Sequence, residues 1–372
     1  MHTQQKARIV YIDLIRAIAV LLMVEGHTVD ALIGSSFRNY EDIGYRTWLF
    51  IRGFTAPVFL FTSGTVFAYL FRKDHHPFSQ NPRVKKGLKR IGFLFLIGYL
   101  MHFPVLFPWN LLNNSYESIR SMFFVDVLQL IAVGLLLTMV LFYLAERFRL
   151  NDYMLFIGAA FLSYVMFVTI NHIEWMGVIP EFLAFYLYKS PQTLNNFPLF
   201  PWLAYLFGGA ALGVLYAKKP DVFRTTRFAV IFTITGTLFM VFAHAMTYSP
   251  EFYAFRDYGA VHNLHLLLLR FGVIMLINGA LSFFLKQYTS APRWLILIGR
   301  NSLLVYVAHL FVVYGSAWNT KLNLSYAYKN SLTPVEAAGT SVMVILSMIV
   351  LVYSVQYGKK LVKAYLSSRK TQ

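Results

Sequence analysis

Apolar runs of about twenty residues recur along the chain, separated by short polar stretches, and twenty residues is the length a helix needs to cross a bilayer core. About ten such segments can be placed, at 10–33, 48–71, 88–107, 122–145, 152–170, 199–217, 228–247, 264–285, 294–316 and 336–357. The pattern predicts an all-α polytopic membrane protein. The longest connection, Asn171 to Pro198, is aromatic, and its prolines Pro180 and Pro191 bracket only about ten residues. That length predicts an interfacial or re-entrant helix rather than an eleventh span. Gly209 and Gly213 form a GxxxG in the sixth segment, a pattern that lets two helices approach closely.

The first segment, from Tyr11 to Gly34, breaks the pattern because it carries Asp13, Arg16, Glu25 and His27. An ionised side chain at the centre of a spanning helix costs roughly 2.5–3.5 kcal/mol on insertion scales, so a cluster of them needs partners or a task. Arg16 and His27 are eleven residues apart, which turns about 1100° and rises about 16 Å, so both project from one face at two depths.

Composition removes the soluble alternatives. Of 372 residues, 58% are hydrophobic and only 13% charged, too apolar for a soluble domain of this length. The net charge of +17 sits in short clusters between apolar runs, which argues for membrane topology signals and against nucleic-acid binding. There is no cysteine, so disulfide, zinc-thiolate and thiol-nucleophile chemistry is excluded. The basic start, with Lys6 and Arg8, resembles a signal-peptide n-region, but the segment after it is polar on one face and is read as a retained helix. A single membrane domain over 1–372 is expected, with short tails at 1–9 and 359–372. No internal repeat is visible.

The clusters alternate. About 22 of the 33 Lys and Arg residues fall on the side of the N-terminus, so both termini are expected in the cytoplasm. Depth then follows: Arg16 and Arg300 occupy an inner layer, while His27, Asp126, His309 and Arg52 share an outer one. A reaction across a membrane needs such layering. Histidine can act as a general base near neutral pH, and a carboxylate beside it would orient the ring. Asp126 suits that role better than Glu25, which lies about 200° round the helix from His27.

Plainer readings stand beside these. His27 could bond a backbone carbonyl at a helix end, Arg16 could pair with Asp13 three residues away, and Arg300 could snorkel to the interface next to Asn301. Arg300 and His309, nine residues apart on one continuous helix, would point to opposite faces. His262 and His265, with His244 across a loop, lack a carboxylate at matching spacing, and no metal is expected. His75 and His76 read as solvated. In the basic loop after the second segment, Arg83, Lys85, Lys86, Lys89 and Arg90 surround a helix start, which suits either anionic lipid or a polyphosphate ligand. No Walker or dinucleotide glycine motif is present.

The stretch DLIRAIAVLLMVEGH, with ten residues between Arg16 and His27, resembles the signature of the family-three integral-membrane acyltransferases. The resemblance extends through FTAPVFLFTSG, DVLQLIAVG, FPLFPWLAYLFGGAALG and IGRNSLLVYVAHLFVVYG, which look more like the bacterial relatives of heparan-α-glucosaminide N-acetyltransferase. It implies transfer of an acyl group, often acetyl, from cytoplasmic acyl-CoA to a sugar hydroxyl or amine on the far side of a bacterial inner membrane. His27 would be the catalytic histidine, with Asp126 orienting it, by direct transfer or through an acyl-histidine. Arg16, Arg83, Lys85, Lys86, Lys89, Arg90 and Arg300 would face the donor, and Arg52, Gln129, Asn301 and His309 would support. Ala17 stands where the family usually has glycine. Expected partners are membrane lipid, acyl-CoA, a sugar or glycoconjugate acceptor and a second copy of the chain. The rival readings are proton-coupled transport of a small solute or lipid-linked sugar, and a sensing or scaffolding role.

Overall fold

The computed structural model describes residues 10–74, 76–104, 115–248, 260–287 and 291–368. Lys6, Arg8, His75, Trp109 and the side chain of His262 lie outside the described residues. In chain order the helices are α1 (Val10–Leu32), α2 (Ile43–Arg52), α3 (Thr55–Arg72), α4 (Pro82–Met101), α5 (Tyr116–Ser121), α6 (Val127–Arg147), α7 (Asp152–Ile170) and α8 (Glu181–Leu187). They continue as α9 (Leu199–Lys218), α10 (Thr226–Met246), α11 (Ala260–Gln287), α12 (Arg293–Arg300), α13 (Ser302–Val313), α14 (Leu324–Tyr328) and α15 (Pro334–Ser368). Among the described residues seven helical stretches are long and apolar enough to cross a membrane, or eight if the bent pair α12–α13 counts as one span. The other two expected segments are helical as well, α1 and α4. Each carries more charge than an ordinary span, with Asp13, Arg16, Glu25 and Asp30 in α1 and Lys85, Lys86, Lys89 and Arg90 in α4.

The chain groups into two compact units, residues 1–55 with 290–372 and residues 56–289. In the first, α1 is the central helix, packed by α12, α13 and α15. Its buried positions run round the whole helix, from Tyr11, Ile12 and Asp13 through Val20 and Val24 to Ala31 and Leu32. A helix buried on every side belongs in a core, and this one also carries Asp13, Arg16, Glu25 and Asp30. Its last carbonyls, which no helical turn follows, are taken by the chain before α15: Asn330 N–H donates to Ala31, and Ser331 and Leu332 N–H both donate to Leu32. Val29, Ile33, Tyr45 and Ala337 form a small core there with Trp48 and Leu49 against it.

In the second unit α9 is largely buried, and glycine explains how it gets so close to α3. A Cβ on Gly209 would lie 1.8 Å from the Phe61 carbonyl oxygen, and one on Gly64 would lie 1.9 Å from that of Leu206. The GxxxG pattern is therefore a packing device, as expected. The α4 helix buries Gly87, Ile91, Leu94 and Gly98, one stripe at helical spacing, and packs on α6. By contrast α7 and α10 expose large apolar side chains such as Phe161, Leu162, Leu238 and Val241, the surface a lipid-facing helix needs. The short helix expected between Pro180 and Pro191 is α8, which begins directly after Pro180 and exposes Phe182 and Leu183.

One expected element needs correction. The segment 294–316 is not a continuous helix: α12 and α13 meet at an angle of 81°. Asn301, at the joint, has φ −108° and ψ 23°, and its side-chain amide donates to the Leu297 carbonyl at 2.8 Å. Asn and Ser side chains compete with helical backbone bonding, and Asn301–Ser302 places two of them together. The inference that Arg300 and His309 sit on opposite faces of one helix lapses with it.

Candidate active site

The break between α12 and α13 arranges the polar level around Arg16. Gly299 passes so close to α1 that a Cβ there would be 1.8 Å from the Asp13 carbonyl oxygen. With the backbones that near, Arg300 Nε donates to Asp13 Oδ2 at 3.0 Å, and Arg16 Nη2 donates to the Ser302 hydroxyl at 2.7 Å. The Asp13 side chain is 4% exposed and that of Arg300 38%, so the pair joins a buried carboxylate to a partly solvated guanidinium. Arg16, Arg300 and Asn301 are thus brought together as one cluster, and Ser302 joins them. The sequence reading passed over Ser302, although its position directly after Arg300 and Asn301 was the available signal.

The second level is built on the last turns of α1. His27 Nδ1 lies 3.0 Å from His309 Nε2, and the two rings stack at 5.2 Å between centroids and 19° between planes. His309 is fully buried, and its Nδ1 lies 2.9 Å from the Val305 carbonyl oxygen one turn earlier in α13. The Tyr314 ring meets His27 edge-on at 6.0 Å, and its hydroxyl donates to the His27 carbonyl at 3.3 Å. Arg16 with Ser302 and His27 with His309 therefore tie α1 to α13 at two heights.

The remaining charges near this level are matched within the unit. Glu25 accepts from the Trp48 indole N–H at 2.9 Å, which accounts for it as a structural carboxylate. Arg52 donates to Asp30 Oδ2 at 2.7 Å and lies over the Trp48 ring at 5.6 Å. Arg38 donates to Asp30 Oδ1 at 3.3 Å, to the Asp30 carbonyl, and to Asn330 Oδ1 at 3.0 Å. Sequence reasoning missed Asp30. Its signal was a carboxylate three residues beyond His27 inside an apolar run.

The other expected site residues belong to the second unit. Asp126 is the N-cap of α6 and accepts from Val127 N–H at 2.8 Å, with His102 Nε2 at 3.8 Å from its other oxygen. Gln129, fully buried, completes a capping box: Oε1 accepts from Asp126 N–H at 3.3 Å and Nε2 donates to the Phe124 carbonyl at 3.1 Å. Both ends of the Gln129 amide are thereby engaged with backbone. Lys85 and Lys89 are exposed on the side of α4 opposite its buried stripe, Lys86 and Arg90 are exposed on its flank, and Arg83 is half-buried. The helix start adds little to an anion site there, since Pro82 has no N–H and Asn81 already accepts that of Arg83. Among the described residues no group of three or more His, Cys, Asp or Glu side chains could hold a metal ion.

In the connections before α6 and before α9, Tyr116 and Arg120 of α5 both donate to Glu181 of α8, at 2.8 and 2.6 Å. Burial pushes the Glu181 carboxyl up, but the two hydrogen bonds and the Arg120 charge outweigh it and hold the pKa below the ordinary carboxylate value.

A helical, polytopic membrane protein with two polar levels on one buried helix is what these observations define. The model of the family-three acyltransferase domain matches residues 9–353, a range that includes both levels and the basic face of α4, and the chain belongs to that family. It is a membrane-embedded acyltransferase. Compared with curated proteins, the chain finds no match.

Proposed function

We propose that this acyltransferase moves an acyl group, in the simplest case acetyl, from cytoplasmic acyl-CoA to a hydroxyl or amine of a sugar or glycoconjugate on the outer face of a bacterial inner membrane. One observation carries the reading: Arg16 and His27 stand on one face of α1, each tied to α13, at Ser302 and His309. Their separation, about 16 Å along the axis, is a span that an extended pantetheine arm can bridge. In this scheme both termini are cytoplasmic and one catalytic domain runs through both units, as the extent of the family match supports.

The basic side chains Arg83, Lys85, Lys86, Lys89 and Arg90 serve the nucleotide phosphates of the donor, and Arg16 and Arg300 line its path. The thioester then reaches the level of His27. There His27 takes the proton of the acceptor hydroxyl or amine as that atom attacks the thioester carbonyl carbon. The carbon–sulfur bond breaks, and the same proton passes from His27 to the departing thiolate. The oxyanion formed on the way needs a hydrogen-bond donor, and Arg52, held by Asp30, has N–H groups beyond the one that pairs with it. Fixing donor and acceptor at one level contributes as much as the base itself.

The test uses inner-membrane vesicles given acetyl-CoA labelled in the acetyl group and a panel of amino and neutral sugars. Label is expected in the acceptor with wild-type protein and about 10²-fold less with His27→Ala. Full turnover in that variant would remove His27 as the base. Uptake of an acceptor without its acylation would point to transport instead.

A further inference from the structure

The His27–His309 contact contains more information than proximity. A carbonyl oxygen only accepts, so His309 Nδ1, 2.9 Å from the Val305 carbonyl, must carry a hydrogen. In a neutral imidazole the other nitrogen then holds the lone pair, which makes His309 Nε2 an acceptor. His27 Nδ1, 3.0 Å away, must in turn be the donor. The proton of a neutral His27 ring is therefore on Nδ1, and its lone pair is on Nε2. His309 being fully buried favours its neutral form, because an ionised ring there would be expensive.

We infer that His309, anchored on the Val305 carbonyl, is the positioning residue that fixes the tautomer of His27 and makes Nε2 its basic atom. The inference rests on the acyl-transfer reading for its chemical consequence, although the tautomer itself does not. During transfer His27 Nε2 receives the acceptor proton and later returns it to the sulfur of the departing CoA. Its Nδ1–H stays hydrogen-bonded to His309 Nε2 throughout. No proton crosses between the rings, since that would leave a cation on the buried His309. The role foreseen for the Asp126 carboxylate thus falls, within this unit, to a neutral ring.

The ionisable groups on the elements packed round this pair bear on any pH profile. From α1 they are Glu25 and Asp30, bonded to Trp48 and to Arg52 and Arg38. From α13 and its end they are Tyr306 and Tyr314, both in edge contact with a ring of the pair. The sole carboxylate of α15, Glu336, sits in its first turn and accepts from Thr333. From α12 comes Arg300, paired with Asp13 at the other level.

Three substitutions at position 309 separate positioning from packing. Glutamine can donate to the Val305 carbonyl or reach His27 with its amide oxygen, asparagine is too short to reach His27, and leucine offers no acceptor. His309→Leu and His309→Asn are expected to lose about 10²-fold in kcat with little change in donor KM, and His309→Gln to recover most of it. The second readout is independent of turnover: nitrogen NMR of ¹⁵N-histidine-labelled full-length protein at about pH 8, where an unperturbed imidazole is neutral. Wild-type His27 should show a protonated Nδ1 and an unprotonated Nε2, and His309→Leu a mixture of tautomers. A wild-type His27 with its proton on Nε2 overturns the inference, as does a leucine variant with unchanged tautomer and turnover. If the leucine variant does not fold, the wild-type spectrum and the Gln and Asn variants decide. Absence of any acyl transfer by the wild type would instead defeat the functional reading, with the nitrogen spectrum still deciding the tautomer.

Discussion

Gly299 and Asp13 touch backbone to backbone: a Cβ on Gly299 would sit 1.8 Å from the Asp13 carbonyl oxygen and 2.7 Å from its carbon. Those are main-chain atoms of a buried helix and cannot rotate aside. Gly299→Ala should therefore push α12 off α1, at a cost of about 1–3 kcal/mol as for other overpacked sites. Thermal unfolding of the detergent-solubilised protein would register it as a lower Tm. A midpoint equal to wild type would mean the two helices are not held at this distance.

The ion pair beside that contact is asymmetric in its exposure, and its two halves should behave differently. Arg300→Leu leaves the buried Asp13 carboxylate without the guanidinium that faces it and is expected to destabilise by about 1–3 kcal/mol, reduced from a fully buried pair because Arg300 is partly solvated. Combining it with Asp13→Asn should recover part of the loss. Additive losses in the double-mutant cycle would show that the pair contributes no coupling.

Ser302 accepts a hydrogen bond from Arg16, the residue proposed to line the donor path. Ser302→Ala removes one charge-assisted hydrogen bond, and its expected effect is a several-fold rise in the KM for acyl-CoA with kcat preserved, the pattern of lost uniform binding. A fall in kcat at unchanged KM would place Arg16 at the chemistry instead.

The exposed basic face of α4 predicts donor binding through charge. Replacing Lys85, Lys86 and Lys89 together by glutamate should weaken CoA binding by more than tenfold at low salt, with the difference shrinking as salt rises. Equilibrium binding of CoA to the purified protein measures it. Unchanged affinity, with topology intact, leaves contact with anionic lipid as the explanation of this cluster.

The α5–α8 clasp should depend on pH with a defined sign. Because Glu181 has its pKa held below the ordinary 4.5, its contribution is present above that value and disappears as pH falls through the lower folded value. Protection against hydrogen exchange in 181–187, relative to an unstructured chain at the same pH, should be constant across neutral pH and fall only in acid, while Glu181→Gln should show the weaker protection already at neutral pH. Slow exchange in the glutamine variant would mean that the clasp does not depend on this carboxylate.

Much of the architecture was legible from one-dimensional information. Helix length, the short helix after Pro180 and the close packing at Gly209 all follow from local spacing, because apolar runs, proline and glycine act where they stand in the chain. The face shared by Arg16 and His27 was equally legible, since helical geometry relates residues of one helix without reference to any other. What the sequence could not convey was which groups from distant segments meet them. Ser302 and His309 are separated from their partners by 286 and 282 residues. They arrive only because α12 and α13 bend at Asn301 and because Gly299 lets α12 reach the α1 backbone. Hydropathy and periodicity describe each helix against lipid or water, whereas the partner of a buried polar group, and hence the tautomer of His27, is decided by how helices pack against one another.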